Sequence, residues 1–180
     1  MKSTYKGLQV DVPYDLVEIE DIKIIQNVND HSYARIKLLI PEDKIIDSIN
    51  KNVEDEKVII EENGKVKFVG KISKVDIKHE GRLTIIELEA VSYTKDFDIK
   101  KKSRTFCDLN MTYKEVIDRV LKDYPKKEYR DNITQGSKIF DFMLQFEETD
   151  WEFLKRIATH FGGSLIADCT VEYGRFYFGL

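Results

Sequence analysis

The sequence predicts a mainly β protein of the α+β class, with an N-terminal antiparallel six-stranded β-barrel followed by a mixed α/β second domain. Three observations support this prediction. Apolar residues recur at every second position between turn signals over about the first ninety residues. Two amphipathic helices with capping sequences follow in the second half. No linker-like or low-complexity stretch separates the two halves, so we expect a packed junction near residue 95.

The composition is that of an ordinary folded protein and disfavours several kinds of partner. Hydrophobic residues make up 42% and charged residues 34% of the 180 positions, a balance typical of chains that bury a core. The net charge of −4 gives no general attraction for nucleic acid. No window reaches the roughly 18 apolar residues of a membrane span. The N-terminal segment has no signal-peptide pattern, so we expect synthesis in the cytoplasm.

The first domain is predicted over residues 1–94. Its alternation is clearest at four apolar positions, Ala34, Ile36, Leu38 and Ile40. Asn63-Gly64 favours a tight hairpin, because both residue types readily adopt positive φ. The parity of the apolar positions shifts near Ser73-Lys74 and again between Ile85 and Ile86, and each shift predicts a bulge. Bulged, twisted strands allow a sheet to close on itself.

Two helices are predicted before Pro125. The spacing of isoleucines between Pro41 and Asn52 predicts a short helix inserted in one connection of the barrel. The second helix begins at a capping box of Thr112 and Glu115, in which each side chain satisfies a backbone N–H at the helix start. Its apolar face recurs at helical spacing and ends just before Pro125.

The second domain is predicted over residues 95–180, and its last helix has the most informative sequence. Thr149 and Glu152 form a second capping box, and Asp150 lies where the helix dipole favours negative charge. Gly162 provides the left-handed residue that often ends a helix. The predicted apolar face consists of Trp151, Leu154, Ile157, Ala158 and Phe161. Strands are predicted over 164–168 and 175–180, and Phe140, Phe142, Leu144 and Phe146 share the parity of a further strand.

Few residue patterns in this chain point to catalysis, and none points to a metal or cofactor. The three histidines, His31, His79 and His160, lack the spacing of a helical metal site. The acidic run Glu147–Glu152 keeps a hydrolytic alternative open, because glycosidases use paired carboxylates. Capping and the helix dipole also account for these acids. The basic cluster Lys100–Arg104 fits a solvated loop, an anion site or ion pairing with a neighbouring subunit.

The segment Gln145–Ala158 resembles the signature of the phage late control protein D and VgrG-type tail hub family. A Gln, an acidic-Thr-Asp-Trp cap, a Phe-Leu-x-Arg helix and a following glycine stand in the order found in that family. The segments Phe68–Ile72, Ala90–Tyr93 and Arg104–Phe106 also resemble, in order, the barrel hairpin of the family and the link to its first helix.

This resemblance implies a structural, non-enzymatic hub subunit of a contractile phage-tail-like particle, such as a phage, prophage, tailocin or injection system. It implies a homotrimer that joins the tail tube protein to the central spike protein and contacts the baseplate, made in the bacterial cytoplasm and incorporated into the virion or particle. Family members generally continue further, so a fragment with an incomplete second barrel-like domain is expected. A wall-degrading tail component and a stand-alone β-barrel binding module remain as alternatives.

Overall fold

The computed structural model describes residues 2–5, 7–14, 18–40, 53–80 and 83–179. The helix predicted between Pro41 and Asn52 lies outside the described residues. The chain divides into two compact units, and each unit combines segments that are distant in sequence. The first unit contains Met1–Gln26, Ser32–Tyr93 and Cys169–Glu172, and the second contains Asn27–His31, Thr94–Asp168 and Tyr173–Leu180.

In the first unit, seven strands of the described chain form one antiparallel sheet in the order β1-β2-β5-β6-β7-β4-β3. The two edge strands, β1 and β3, also approach each other, so the sheet is strongly curled. This curled sheet confirms the predicted mainly β fold class, with β1 as a short addition to the six expected strands. The strands are β1 (Lys2–Tyr5), β2 (Leu8–Asp11), β3 (Glu18–Ile25), β4 (Tyr33–Ile40), β5 (Lys57–Glu62), β6 (Lys65–Glu80) and β7 (Leu83–Ser92).

The local sequence signals of the first unit act largely as predicted. The four alternating apolar residues of β4 are all buried. Asn63 and Gly64 have φ values of 51° and 73°, which is the positive-φ pair of a type I′ hairpin. The register of β6 against β7 shifts between Ile72 and Lys74, which confirms the bulge predicted there.

The second predicted bulge, between Ile85 and Ile86, is absent: the pairing of β7 runs through both residues without a shift. Thr84 is buried, as are Ile86 and Leu88 of the same strand parity. Its hydroxyl lies 2.9 Å from His79 Nδ1, and this hydrogen bond allows a polar residue to face inward. The apolar pattern was therefore misleading at this point.

The second unit is built from a two-stranded ribbon, a three-stranded sheet and two helices. The antiparallel ribbon pairs β8 with β10, and the sheet has the order β11-β12-β9 with β9 parallel to β12. The elements are β8 (Lys101–Phe106), α1 (Tyr113–Val120), β9 (Lys127–Asp131), β10 (Met143–Thr149), α2 (Asp150–His160), β11 (Leu165–Asp168) and β12 (Gly174–Phe178). Short 3₁₀ turns cover Tyr93–Asp98 and Leu121–Asp123.

The segment Asn27–His31 belongs to the second unit because it is bonded to β11. Asn29 N donates to Leu165 O, and Leu165 N donates to Asn29 Oδ1, both at 2.8 Å. In the first unit, Cys169 O accepts from Val69 N at 2.6 Å. Of the two cysteines, Cys169 is buried and Cys107 is exposed.

The apolar faces of α1 and α2 form most of the core of the second unit. The predicted face of α2 is buried except at Phe161, which is only partly covered, and Phe153 is an additional buried residue. In β12, Phe176 and Phe178 are fully buried, so this aromatic segment is a core strand.

The strand before α2 begins later than the sequence pattern indicates. Met143 pairs with Phe106 and Gln145 with Arg104, and both Met143 and Gln145 face the core. Because side chains alternate along a strand, Leu144 and Phe146 of β10 point away from the core. Phe140 and Phe142 precede the strand and are also exposed.

Candidate functional site

The start of α2 is fixed by a capping box and by one further hydrogen bond. Glu152 N donates to Thr149 Oγ1 at 3.1 Å, and Thr149 N donates to Glu152 Oε2 at 2.8 Å. The Thr149 hydroxyl also donates to Asp98 Oδ1 at 2.6 Å. The cap therefore satisfies backbone N–H groups at the start of α2. The bond to Asp98 also attaches this end of the helix to the 3₁₀ turn Tyr93–Asp98.

The end of α2 is a Schellman motif. Gly162 has a φ of +65°, the left-handed conformation that favours glycine. Gly162 N donates to Thr159 O and Gly163 N donates to Ala158 O, both at 3.0 Å. This pair of bonds satisfies the last carbonyl groups of the helix. Both ends of α2 therefore have the termination that the sequence predicts.

The first helical residue, Asp150, is fully buried and bonded to four side chains. Its Oδ1 accepts hydrogen bonds from Arg104 Nη1 at 2.5 Å and from Gln145 Nε2 at 2.9 Å. Its Oδ2 accepts from Lys102 Nζ and from Tyr124 Oη, both at 2.7 Å. We call these five side chains the Asp150 cluster. Each carboxylate oxygen of Asp150 thus accepts two hydrogen bonds. These bonds replace those that water would make, so the negative charge is tolerated in a buried position.

A second carboxylate balances the charge of the cluster. Asp123 Oδ2 accepts from Lys102 Nζ at 2.8 Å and from Arg104 Nη2 at 2.9 Å. The two cations, whose side chains are largely buried, are thus matched by two acids. Burial alone would raise the pKa of Asp150, but the hydrogen bonds from Arg104, Lys102, Gln145 and Tyr124 outweigh it and lower that pKa below its ordinary value.

The Asp150 cluster changes the interpretation of two charged stretches of the sequence. Capping and the helix dipole do not fully explain Asp150, since its main partners are the cations of β8. The basic run Lys100–Arg104 is not a single solvated loop, because Lys102 and Arg104 lie on the inner face of β8 while Lys101 is exposed. The spacing of two residues between Lys102 and Arg104 is the sequence signal for a shared strand face.

Trp151 packs against the ring of His31, which is itself hydrogen-bonded. Its ring centroid is 4.8 Å from that of His31 and 5.7 Å from that of Phe176, and Trp151 is almost completely buried. His31 Nδ1 lies 3.0 Å from Thr94 Oγ1, and its Nε2 lies 3.3 Å from Asp98 Oδ2. No pattern in the sequence indicates that His31 lies beside the Trp151 motif. Its role is to connect the segment Asn27–His31 to the start of α2.

The other residues singled out from the sequence also have structural positions. Glu115 N donates to Thr112 Oγ1 at 3.2 Å and Thr112 N donates to Glu115 Oε2 at 2.7 Å, so α1 has its own capping box. Leu154 is fully buried in the core of the second unit. Thr112 and Glu115 are thus at the start of α1, whereas the remaining six predicted residues are in α2 or at its ends.

The acids around the helix start each have a partner. Ser103 Oγ donates to Glu147 Oε1 at 3.3 Å, and Arg156 Nε and Nη2 donate to the two carboxylate oxygens of Glu148, both at 3.0 Å. Glu152 closes the capping box. This geometry is that of a packing site. Among the described residues, no group of three or more His, Cys, Asp or Glu side chains is placed to hold a metal ion.

Comparison with known proteins identifies the family of the chain. The family model of the phage tail baseplate hub (GPD) matches residues 51–168, which include the whole Asp150 cluster and α2. This match covers more than half of the 180 residues. The chain therefore belongs to the phage tail baseplate hub family, as the resemblance of the Gln145–Ala158 segment implied. No curated protein sequence matches it.

Several solved structures share the fold at low sequence identity. The prophage MuSo2 43 kDa tail protein from Shewanella oneidensis has a TM-score of 0.69 and 18% identity, over 88% of this chain and 47% of that chain. A tail protein from Neisseria meningitidis has a TM-score of 0.67 and 12% identity, over 95% of this chain and 49% of that one.

An Escherichia coli component of the type VI secretion system, described as structurally similar to the T4 bacteriophage tail proteins gp27 and gp5, has a TM-score of 0.58. It shares 11% identity with this chain, over 89% of this chain and 48% of that one. The chain thus spans about half the length of these matched structures. In the part of the chain that is described, no helix is long and apolar enough to cross a membrane.

The Asp150 cluster predicts a large effect of a near-isosteric substitution. Asp150→Asn removes one buried negative charge and leaves Arg104 and Lys102 with only Asp123. Loss of one partner of a buried ion pair typically costs about 3–5 kcal/mol, so we expect the free energy of unfolding to fall by about 3 kcal/mol in urea denaturation. Glu147→Gln, at an exposed residue of the same acidic run, should change it by less than about 0.5 kcal/mol. Equal effects of the two substitutions would contradict the role of the cluster.

The stability of the protein should also depend on pH in two stages. Burial lowers the pKa of His31, and the hydrogen bond and charge of Asp98 oppose this only in part. A lowered pKa means that the unfolded chain takes up the proton first, so stability is fully present above the unfolded-state pKa of about 6.5 and is lost as the pH falls through the lower folded-state value. Asp98 and Asp150 also have lowered pKa values, because hydrogen bonds to each carboxylate outweigh burial.

These carboxylates add a second loss of stability as the pH falls below about 4. Urea denaturation at a series of pH values should show both stages. His31→Gln should remove the stage just below pH 6.5 and keep the acidic one, whereas His160→Gln, at an exposed residue of the same type, should keep both. An unchanged profile in His31→Gln would show that His31 is not responsible.

Proposed function

We propose that this chain is a structural hub subunit of a contractile phage-tail-like particle, in which it joins the tail tube to the central spike. The observation that carries the proposal is the match of the baseplate hub family over residues 51–168. The particle could belong to a phage, a prophage, a tailocin or an injection system, since the matched structures include prophage tail proteins and a type VI secretion component.

The geometry of the second unit supports a structural role. A subunit that joins other components needs elements whose positions do not vary, and α2 is held at both ends and at its first residue. Thr149 holds its start, Gly162 ends it, and Asp150 connects it to β8 and β10. The acids that suggested a hydrolytic tail component are engaged in caps, hydrogen bonds and ion pairs. In this proposal the chain is a structural part rather than an enzyme.

We further infer the partners that the hub role requires. In this proposal the chain assembles as a homotrimer, contacts the tail tube protein, the spike protein and other baseplate components, and is made in the bacterial cytoplasm before it enters the virion or particle. Residues 1–94 are the β-barrel hub domain, and residues 95–180 begin the second barrel-like domain. Two such domains per subunit would allow a three-fold assembly to match a six-fold tube.

The hub proposal is tested by locating the chain in the particle. The protein carrying an epitope tag is produced in the bacterium that makes the particle, and purified particles are labelled with gold-conjugated antibody and examined by electron microscopy. We expect label at the junction of tube and spike. Particles that carry the same tag on the tail tube protein should be labelled along the tube instead. Label along the whole tail, or particles without the chain, would refute the proposal.

A further inference from the structure

The imidazole of His31 is buried where three segments of the second unit meet. Its side chain is only 3% exposed. The ring belongs to the segment Asn27–His31, and its two nitrogens contact residues of the 3₁₀ turn Tyr93–Asp98. Its centroid lies 4.8 Å from that of Trp151 in α2. A buried imidazole with both nitrogens engaged is sensitive to a change in its own protonation.

The partners of His31 determine which ring nitrogen carries the hydrogen. Burial alone would raise the pKa of Asp98, but the hydrogen bonds that its carboxylate accepts outweigh burial and lower that pKa. An ionised carboxylate only accepts hydrogen bonds, so His31 Nε2, which lies 3.3 Å from Asp98 Oδ2, is the donor. Nδ1 of the neutral ring then accepts from the hydroxyl of Thr94, 3.0 Å away. Both ring nitrogens are therefore satisfied in the neutral form.

A second proton on the ring would reverse one of these hydrogen bonds. Nδ1 would become a donor, and the hydroxyl that now donates to it would have to turn and accept. The charged groups around the ring are Asp98 and Lys95 of the 3₁₀ turn and Asp30 of its own segment, whereas α2 presents the uncharged Trp151. Burial lowers the pKa of His31 more than the two acids raise it, and the lysine lowers it further. The neutral ring is therefore the favoured form while it is enclosed.

The segment Asn27–His31 buries little surface besides this imidazole. Of residues 27 to 31, only His31 is buried, and the first two are exposed. The segment is joined to β11 by two hydrogen bonds, from Asn29 N to Leu165 O and from Leu165 N to Asn29 Oδ1. A segment with few buried contacts opens at a lower free energy than the core beside it. The protonation state of one enclosed ring is then a large part of what keeps it closed.

We propose that the segment Asn27–His31 is an acid-sensitive latch, in which protonation of His31 releases the segment from β11 and from the start of α2 while the core of the unit stays folded. Opening brings the imidazole into water, where burial no longer opposes the second proton. Because the proton binds the open state better than the closed one, acid shifts the equilibrium towards the open state. At neutral pH the latch is closed. This inference does not depend on the hub role.

Amide hydrogen exchange of the full chain, followed by NMR at about pH 7.5 and about pH 5.0 and corrected for intrinsic rates, tests the latch. The amides of Asn29 and Leu165 form bonds that break when the segment opens. A histidine with an unfolded-state pKa of about 6.5 favours the open state by up to about thirtyfold at pH 5.0. We therefore expect the protection of these two amides to fall by about five- to thirtyfold. The amides of Leu154 and Ile157 inside α2 should be at least about tenfold better protected at both pH values.

Two variants separate His31 from general effects of acid. His31→Gln keeps a donor and an acceptor but takes up no proton in this range, so the pH dependence of the two latch amides should disappear. His160→Gln, at an exposed residue, should leave that dependence unchanged. The imidazole resonances of His31 in the wild-type chain provide a measurement that needs no variant. They should titrate below about pH 6.5, with the same midpoint as the loss of protection.

Three results would overturn the proposal. Protection of Asn29 and Leu165 equal to that of the α2 amides would mean that the segment opens only when the whole unit unfolds. Protection that stays the same at both pH values would mean that opening does not expose His31. A pH dependence that persists in His31→Gln, or a midpoint that differs from that of the His31 resonances, would assign the effect to another group.

Discussion

The buried carboxylate of Asp150 is the interaction on which the second unit depends. Moving an isolated carboxylate out of water costs many kcal/mol unless its hydrogen-bonding capacity is met. Here the donors come from β8, from β10 and from Tyr124, which follows the helix α1. The charge is stable only when all of these elements have their native positions. A single residue thereby makes the arrangement of two strands and two helices interdependent.

The residues next to Asp150 explain why this short segment is so informative about the family. Thr149 begins the helix and bonds to Asp98, and Trp151 fills the core between His31 and Phe176. Capping, charge compensation and aromatic packing thus fall on three consecutive residues. In each role the side chain holds elements together, and in none of them does it face an open site for a substrate. The family match and the physical chemistry of the segment lead to the same kind of function, that of a structural part.

Local features were predictable from the sequence, and distant contacts were not. The hairpin at Asn63-Gly64, both capping boxes and the glycine stop at Gly162 each depend on residues within a few positions. The ion pair of Arg104 with Asp150 joins residues 46 positions apart, and periodicity contains no information about such pairs. Strand parity shows which residues share a face but not which face is buried, so the exposure of Leu144 and Phe146 became clear only from the pairing of β8 with β10.

The central claim is that Arg104 and Asp150 stabilise the unit together, and a double-mutant cycle tests it most directly. The free energy of unfolding is measured for Arg104→Ala, Asp150→Ala and the double variant. A coupling of at least about 1.5 kcal/mol is predicted, as for groups in one buried network. The same cycle on the exposed pair Lys57 and Glu172, whose Nζ and Oε1 atoms are 2.9 Å apart, should give less than about 0.5 kcal/mol. A coupling for Arg104 and Asp150 as small as that of the exposed pair would contradict the account.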